Sequence, residues 1–496
     1  MGMSKPQAAQ QFVLMVVEPG AAGSGQAKAP VDKTFRRYEQ DQPMLLAPDL
    51  RDWLAADHPA RWVDDLVEHG LDLSAIYADY TEVRGAPPYE PRLMLKILIY
   101  GYSHGITSSR ALERRCHDDI AFRFLTAQAA PDFVAISRFR ARHGAALKAL
   151  FTQSLALCAQ AGLVSLGRVA LDGTKVRAAA SRHRAMSYDR MVRAESELAG
   201  EVEALLAEAE RLDAAEDAAY GPDRRGDELP VELTRREGRL AAIRAAKAAL
   251  EAEHAAKARA EAEQDAAEQG GDPDQVTQAG DAAEAAAVVP DRAQRSFTDP
   301  DARIMKTSDG SFHYCFNGQA VVDEKSQVVL AASLRQSPAD APALPEMLAE
   351  LAESLTAAGI GGTPRTLLAD AGYFSADNVE AVTDAGIDPL LATGRLKHGD
   401  QPPAVPRGRI PAGLTPKQLM SRKLRTKKGK ADYARRKAIV EPVFGQINVA
   451  QGGHQLRLRG QVKADFEWTF HLACHNFRKL AGSGLDNHPA GLQLKV

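Results

Sequence analysis

Three carboxylates, far apart along the chain, have the sequence contexts expected of metal-binding acids. Asp172 follows the apolar residues 169–171, and Asp370 follows a second apolar run at residues 366–369. Glu441 lies instead in the most basic part of the chain. An acid at the end of a buried strand is costly unless something pairs with it. Mg²⁺ prefers such oxygen ligands and often binds substrate phosphate as well. The three acids therefore predict metal-dependent chemistry on a nucleic acid.

Charge is divided unevenly along the chain. Residues 407–463 contain 15 Lys or Arg and two acids, whereas residues 187–290 contain 25 acids and 12 Lys or Arg. The formal net charge of −3 and the pI near 6.5 hide this contrast. Because binding follows the local electrostatic field, the basic segment favours a nucleic-acid partner although the whole chain is slightly acidic.

Length and composition are those of a globular protein with two to four domains. The 496 residues are 45% hydrophobic and 26% charged. The four cysteines form no CxxC pair, which favours buried, reduced thiols over disulfide bonds or a zinc site. No apolar run reaches the roughly 18 residues of a membrane span. We therefore expect a cytoplasmic protein with no membrane partner.

The N-terminal third is predicted to be helical. Residues 1–30 are expected to form a disordered leader, followed by a helical domain over residues 31–164. Arg138 and Arg140 are expected to face solvent and to contact DNA, as in a helix-turn-helix. The alternative is an ordinary helical bundle with a solvated basic face. Apolar repeats at three- and four-residue steps place short helices near 91–103, 108–118 and 133–144.

Residues 187–295 form an insertion of different composition, dominated by Ala, Glu and Arg. These residues favour helix, and Gly and Pro between 221 and 230 are expected to make the turn of an antiparallel helical hairpin. Gly270 and Gly271 are expected to begin a disordered end that extends to about residue 295. The hairpin is predicted to be a solvated appendage, with contact to a second protomer as one role open to it.

The rest of the chain, residues 165–186 and 296–480, alternates strand and helix patterns, and a tail follows at 481–496. If the first and fourth strands are neighbours in a mixed sheet, Asp172 and Asp370 meet at one edge. After the strand with Asp172, strands are predicted at 311–323, 327–334, 366–370 and 389–393, and helices near 341–358, 376–385 and 464–480.

Glu441 could complete the site from a helix that follows these strands. Pro442 cannot occupy a helix interior without a break or kink, so Glu441 is expected at a helix start or at a bend. Three acids so placed could hold two metal ions about 4 Å apart, one activating water or a 3′-hydroxyl and the other stabilising the leaving oxygen. Each aspartate taken alone is more simply a turn former.

Other polar residues have simpler explanations. Asp323 precedes a hairpin turn and is expected to stabilise it. Asp340 is expected to cap the following helix. His313, His471 and His475 lack the spacing of zinc ligands, which favours packing or phosphate contact.

Four segments resemble the DDE transposases of bacterial insertion sequences, in the group with a Tyr-x₂-Arg…Glu-x₆-Lys signature around the third acid. Residues 89–113 are similar to that group's N-terminal domain. Leu-Asp172-Gly-Thr-Lys, Ala-Asp370-Ala-Gly-Tyr and Ile-Val-Glu441-Pro-Val-Phe-Gly look like its three acid motifs. The resemblance extends from about residue 49 to residue 480, apart from the insertion, and the joint order of the motifs makes it specific.

The resemblance implies an α/β fold, namely a ribonuclease-H-like mixed sheet with helices on both faces. An all-α N-terminal domain precedes it, and the helical insertion follows its first strand. Asp172, Asp370 and Glu441 would be catalytic and would bind two Mg²⁺ ions, for which Mn²⁺ can substitute. The implied reaction is DNA cleavage and strand transfer at the element's terminal inverted repeats. The implied partners are end and target double-stranded DNA and a second copy of the chain, in the bacterial cytoplasm at the nucleoid.

The signature also assigns DNA contacts. Tyr433 and Arg436 fall on positions that contact DNA near the cleaved end, and Asn317 and Gln319 are expected to face the site. The lysine of the signature falls on Asn448, which can hydrogen-bond a phosphate or base but carries no charge. The lysines expected to compensate are Lys427, Lys428 and Lys437.

Two other functions remain open at the level of sequence. Asn448 in place of lysine is the feature that favours a catalytically inactive DNA-binding protein derived from such an enzyme. The Ala-rich hairpin would instead favour a scaffold protein that the rest of the chain supports. An enzyme should show metal-dependent cleavage that is lost when the acids are replaced and kept when the hairpin is deleted. Neither alternative predicts this combination.

Overall fold

A mixed sheet of six strands lies at the centre of the described chain. The computed structural model describes residues 49–81, 87–180, 185–220, 231–394 and 405–483, without the side chains of 205, 206, 208–220, 231–234 and 268. The predicted leader, the predicted turn at 221–230 and residues 484–496 of the tail lie outside these ranges. The strands are β1 Arg168–Arg177, β2 Ala185–Ser187, β3 Gln294–Ser296, β4 Arg303–Lys306, β5 Phe312–Asp323, β6 Val329–Arg335, β7 Thr366–Ala369 and β8 Asp388–Leu391.

The strand order places β1 in the middle of the sheet. The order is β4–β5–β1–β7–β8, with β6 also paired to β5, while β2 and β3 form a separate ribbon. Strand β1 is antiparallel to β5 and parallel to β7, which confirms that the Asp172 and Asp370 strands are neighbours. The sequence does not predict β2, β3 or β4, because three or four residues are too few to establish an alternating pattern.

The N-terminal helices share a core with the sheet domain. The predicted helices near 91–103, 108–118 and 133–144 are confirmed. The described residues from Asp49 onwards form one compact unit, and a continuous apolar core joins the N-terminal helices to the sheet and its helices. The helices are α1 Pro59–Asp65, α2 Ser74–Ala78, α3 Pro91–Ser103, α4 Ser109–Asp118, α5 Ile120–Leu125, α6 Phe133–Arg142 and α7 Gly144–Gln160.

The insertion contains the two long helices that the sequence predicts and a third helix that it does not predict. Helix α8 spans Tyr188–Tyr220, α9 spans Val231–Glu268 and α10 spans Pro273–Ala285. The expectation of disorder from Gly270 to about residue 295 is therefore wrong. Asp272 and Gln275 form a reciprocal capping box that starts α10, and this local device outweighs the two glycines before it.

Helices cover both faces of the sheet. A Cβ at Gly318 of β5 would lie 2.8 Å from the Trp468 indole. Its neighbours Asn317 and Gln319 point to the opposite face, where both bond to Asp340. The remaining helices are α11 Ala343–Ala357, α12 Ala376–Asp384, α13 Pro416–Arg425, α14 Lys427–Gly445 and α15 Gln461–Ala481. Trp468 belongs to α15, and Asp340 lies just before α11.

The four cysteines are buried, which confirms that they are core residues. In the described ranges, no helix combines the length and the apolar character that crossing a membrane requires.

Candidate active site

Asp172 and Asp370 stand side by side on neighbouring parallel strands. Leu171 of β1 pairs in register with Ala369 of β7, so the residue after each partner is one of the two acids. Asp370 directly follows β7 and caps a single helical turn, with its Oδ1 accepting from the Gly372 N–H at 2.8 Å. The first two predicted acids therefore meet at the carboxyl end of β7.

Asp172 is held by an arginine from a distant helix. Its Oδ2 accepts from Nη1 of Arg436 at 2.7 Å, and its Oδ1 accepts from the N–H of Gly173 at 2.9 Å. Burial raises the pKa of Asp172, the Arg436 charge opposes the rise, and the neighbouring Asp370 charge adds to it. The site thus combines two close carboxylates with one compensating cation, the balance that a bound metal ion would change.

Helix α14 presents Tyr433 and Arg436 to this acid pair. The two residues are three positions apart, so they share one face of the helix. Burial raises the pKa of the Tyr433 phenol, with the Arg436 charge opposing and the Asp370 charge reinforcing the rise. Both residues assigned to DNA contact by the signature therefore lie beside the acids.

Glu441 lies on the same helix but does not join the pair. Its side chain is 59% exposed, and its ion pair is with Lys437, 3.7 Å away. Five residues separate it from Arg436, which turns it about 140° around the helix axis. Across the described ranges, no three His, Cys, Asp or Glu side chains are grouped closely enough to share a metal ion. The structure brings together two of the three predicted acids.

Helix α14 continues through Pro442, so Glu441 does not begin a helix. Pro442 has no N–H to donate to the carbonyl of Ala438, four residues earlier. That carbonyl instead accepts from Nε2 of Gln327 at 2.9 Å. This bond satisfies the Ala438 carbonyl that the proline leaves unpaired. The residues around Pro442 in the sequence do not predict it, because Gln327 lies more than 100 residues away.

Asn448 lies next to β1, close to the first acid. It belongs to the π-helical turn Gln446–Ala450 that follows α14. Its Nδ2 donates to Oγ1 of Thr174 at 3.2 Å, two residues beyond Asp172. The position that the signature gives to lysine is thus occupied, beside the site, by an uncharged amide.

Arg138 and Arg140 of α6 differ in their exposure to solvent. Arg138 is exposed, as predicted. Arg140 is only 5% exposed and donates from Nη1 to the Tyr102 hydroxyl and to the Thr107 carbonyl, at 2.8 and 2.7 Å. The expectation that Arg140 faces solvent is therefore wrong. Residues two apart on a helix are turned about 200° from each other, so both could not face solvent.

The remaining predicted DNA contacts are exposed side chains of α14. Lys427 and Lys428 lie in its first turn, and Lys437 lies beside Glu441. Their positions are compatible with phosphate contact, and their role stays a prediction.

Asp340 accepts hydrogen bonds from two strand amides, a role that the sequence does not predict. The expectation that it caps a helix is wrong, because α11 has Pro342 at its N-cap and no side-chain cap. Its Oδ1 instead accepts from Nδ2 of Asn317 at 2.9 Å and from Nε2 of Gln319 at 3.2 Å, and lies 3.5 Å from Nζ of Lys175. The signal available in the sequence is the alternation of two amides on an otherwise apolar strand.

This polar network reaches the turn that carries Asp370. The Tyr373 hydroxyl donates to Oε1 of Gln319, and Tyr373 closes the turn that Asp370 begins. A Cβ on Gly372 would lie 3.0 Å from Oδ1 of Asp370 and 3.3 Å from Oδ2 of Asp340, so these oxygens are at most 6.3 Å apart (3.0 + 3.3). Glycine at 372 permits this approach, and the network fixes the second acid from behind.

Asp323, in contrast, is structural. Its carboxylate accepts from the backbone N–H of Lys325 at 2.8 Å and from those of Leu166 and Ser165 at 3.0 and 3.2 Å. These bonds confirm the predicted turn role.

Two family models match the chain. One is described as a transposase domain (DUF772) and matches residues 48–142, and the other is described as a transposase DDE domain and matches residues 291–477. Asp370 and Glu441 lie within the second range, and Asp172 lies outside both. Searches of curated proteins and of solved structures gave no match. Both matched families are transposase families, and the chain belongs to the DDE transposases of insertion sequences.

Proposed function

We propose that this transposase binds the terminal inverted repeats of its insertion sequence and cuts and joins DNA strands there. The observation that carries the proposal is the meeting of Asp172 and Asp370 at one sheet edge, under a basic helix. An acid pair fits phosphoryl transfer because metal ions can bridge it to a substrate phosphate.

The donor set fits divalent cations of the Mg²⁺ type. Asp172 and Asp370 offer hard carboxylate oxygens, and Glu441 would complete the set after a change in its side chain or in α14. Two Mg²⁺ ions, or Mn²⁺ in their place, would supply a nucleophile at neutral pH and charge stabilisation at the leaving oxygen. The protein's own residues would orient the phosphate, with Arg436 moving from Asp172 to the substrate.

The strand order supports a ribonuclease-H-like catalytic domain over residues 165–186 and 296–480. The β6–β5–β1–β7–β8 order, antiparallel up to β1 and parallel beyond it, is consistent with that proposal. We further propose the helical region 31–164 as a DNA-binding part and the 187–295 insertion as an appendage. Two chains would act together on DNA, one for each end, at the nucleoid in the cytoplasm.

The proposed DNA contacts surround the acid pair or lie on exposed helix surfaces. Tyr433 and Arg436 would contact the strand near the cut, and Asn448 would offer a neutral hydrogen bond to it. A phosphate contact through a neutral amide is weaker than one through a lysine. The more distant phosphate contacts would come from Lys427, Lys428, Lys437 and Arg138.

A supercoiled plasmid that carries the DNA flanking the encoding gene on both sides tests the proposal. Cleavage at the gene's ends should require Mg²⁺ or Mn²⁺ and should vanish in Asp172→Ala and Asp370→Ala. Asp388→Asn is the matched control, because Asp388 begins β8 at the opposite end of the sheet. Cleavage by the two alanine variants at the wild-type rate would refute the site.

An inactive DNA-binding protein is the second candidate, favoured by Asn448 at the lysine position and by the exposed Glu441. It predicts salt-dependent binding of the flanking DNA with no cleavage by the wild-type chain under any divalent ion.

A further inference from the structure

A buried polar network fixes the loop of residues 451–460, which precedes α15. Glu467 is 3% exposed, and its Oε2 accepts from the backbone N–H groups of Arg457 and Leu458 at 2.7 and 2.8 Å. Its Oε1 accepts from the Tyr102 hydroxyl at 2.9 Å, which in turn accepts from Arg140. A carboxylate buried with its partners in this way holds the backbone at 457–458 in one position relative to α3 and α6.

That loop lines two adjacent clefts on the surface. One cleft, of about 430 Å³, lies between α4 and the loop, and the other, of about 570 Å³, lies between the loop and the end of β1. Arg457 lines both clefts. Among the residues that line the two clefts, the charged ones are Arg114, Arg115, Asp118, Arg457 and Arg459.

The loop arginines are oriented by bonds from Nε. Nε of Arg457 donates to Oγ1 of Thr107, and Nε of Arg459 donates to the Ala179 carbonyl, both at 3.2 Å. Within the described residues, no ion pair of 4.0 Å or less joins Arg457, Arg459 or Arg114 to a carboxylate. Arg115 is paired with Asp119 at 3.5 Å. The Nη groups of Arg114, Arg457 and Arg459 are therefore available to bind an anion. The planar set of N–H groups on a guanidinium matches the geometry of phosphate oxygens.

The loop that lines both clefts bonds to the last residue of β1, the strand that carries the first acid. The N–H of Leu456 donates to the Arg177 carbonyl, and the N–H of Arg177 donates to the His454 carbonyl, at 2.8 and 3.0 Å. Arg177 is five residues beyond Asp172 on β1, which corresponds to about 17 Å at 3.3 Å per residue. Because successive base pairs are about 3.4 Å apart, this distance matches roughly five base pairs of duplex.

We propose that the two clefts form a phosphate clamp, which grips duplex DNA about five base pairs from the site of cleavage. The proposal rests on the proposed function for the position of the cut, but the clamp itself is defined by Arg114, Arg457 and Arg459. Duplex DNA is the partner that fits, because its phosphates continue at regular spacing from the acid pair to the clefts. The clamp joins the N-terminal helices to the sheet domain through one ligand.

Salt dependence of DNA binding tests the clamp without cleavage. A fluorescent duplex of about 30 base pairs and arbitrary sequence is titrated in EDTA, because phosphate contacts set the slope of log K against log salt. Arg457→Gln/Arg459→Gln should reduce that slope by about 2, one for each lost contact. Arg457→Lys/Arg459→Lys should keep most of the slope, which separates charge from folding. Thermal unfolding of each variant verifies that the loop network survives.

The matched control removes the same charge from the acidic insertion. Arg193 and Lys257 are exposed there, at 72% and 68%, and Arg193→Gln/Lys257→Gln should keep the wild-type slope. A wild-type slope in the Arg457→Gln/Arg459→Gln variant would overturn the clamp. The clamp would be overturned equally if this variant kept the wild-type slope on DNA but bound polyglutamate, an anionic polymer without phosphates, more weakly than the wild type does. Loss of the clamp leaves the metal-dependent cleavage test on Asp172 unaffected, so the two proposals fail separately.

Discussion

Arg436 of α14 and Asp172 of β1 form an ion pair at 2.7 Å between residues 264 positions apart in the sequence. Both side chains are largely buried, at 11% and 22% exposure. The guanidinium bonds Oδ2, one of the two carboxylate oxygens that a metal ion at this site would use. We therefore expect a metal ion at Asp172 to compete with Arg436, and an Arg436 that is displaced would be a free cation next to the substrate phosphate.

Arg436→Gln should make the metal-free protein less stable but more responsive to Mg²⁺. Removing Arg436 leaves the Asp172 carboxylate, which is 22% exposed, without its hydrogen-bonding cation, at a cost of about 1–3 kcal/mol. The ion then no longer competes with Arg436, so the rise in melting temperature with added Mg²⁺ should exceed that of the wild type. Differential scanning fluorimetry across an Mg²⁺ series measures both effects.

The control for this prediction lies on the same helix. Arg435 is 58% exposed and pairs with Glu324, so Arg435→Gln should show the wild-type Mg²⁺ response. An Mg²⁺ response in Arg436→Gln equal to or smaller than the wild-type response would rule out competition at Asp172.

Tyr373 is expected to position Asp370 through its bond to Gln319. Tyr373→Phe removes one hydroxyl from the network and keeps the ring, so the turn at 370–373 should loosen without unfolding. Partners of metal ligands typically change metal affinity or activity by about 10–100-fold. Cleavage by Tyr373→Phe should therefore require more Mg²⁺ for half-maximal rate, and Asp340→Asn should show the same shift.

Tyr314→Phe is the matched control for the Tyr373 prediction. Tyr314 is also buried, but its hydroxyl has no hydrogen-bond partner among the described residues. An unchanged Mg²⁺ requirement in both phenylalanine variants would limit the Asp340 network to a structural role.

Arg140 and Arg138 make a second matched pair, on α6. Arg140→Met leaves the Glu467 network without its cation, and such losses cost about 3–5 kcal/mol. Arg138→Met changes an exposed side chain and should alter the free energy of unfolding by no more than about 0.5 kcal/mol. Urea denaturation compares the two. A fully stable Arg140→Met variant with impaired DNA binding would restore Arg140 as a surface contact.

Two buried histidines should make the fold acid-sensitive. Burial lowers the pKa of His471 to about 3 and that of His475 to about 4, from an ordinary 6.5. Between pH 4 and 6.5 the unfolded chain therefore binds protons that the folded chain excludes. Stability should rise with pH across this window, by up to about 1.4 kcal/mol per unit for each histidine, and should be lost as the pH falls.

His471→Leu isolates one of these contributions. Neither ring nitrogen of His471 has a hydrogen-bond partner in the described part of the chain, so leucine removes the titration without breaking a bond there. The slope of unfolding free energy against pH should flatten relative to the wild type. The exposed His117→Leu should leave it unchanged. Identical slopes for His471→Leu and wild type would show that folding does not lower the pKa of His471.

The acid pair could be predicted from sequence because each aspartate directly follows three apolar residues. Such runs indicate central strands, and strand adjacency then brings Asp172 and Asp370 together. The sequence also contains the capping-box pair Asp272 and Gln275, but the two glycines before it favour a loop, so α10 is not predicted. These features depend on a few neighbouring residues, which is the range that pattern reasoning covers.

The missed features depend on distant partners. Asp340 bonds to Asn317 and Gln319, which are more than 20 residues away, rather than to the helix beside it. Pro442 remains inside a helix because Gln327 serves the carbonyl it leaves unpaired. Arg140 is buried because Tyr102 and Thr107 satisfy it. No local pattern contains these partners, so local rules favoured a cap, a break and a surface contact.

The most direct test of the central claim counts divalent ions on the DNA-bound protein. Mn²⁺ is titrated into the complex with the flanking DNA, and the free ion is measured by electron paramagnetic resonance. The wild type should bind about two ions per chain, and Asp172→Asn and Asp370→Asn should each lose at least one. Asp388→Asn should match the wild type. Full Mn²⁺ occupancy in Asp172→Asn or Asp370→Asn would contradict the account.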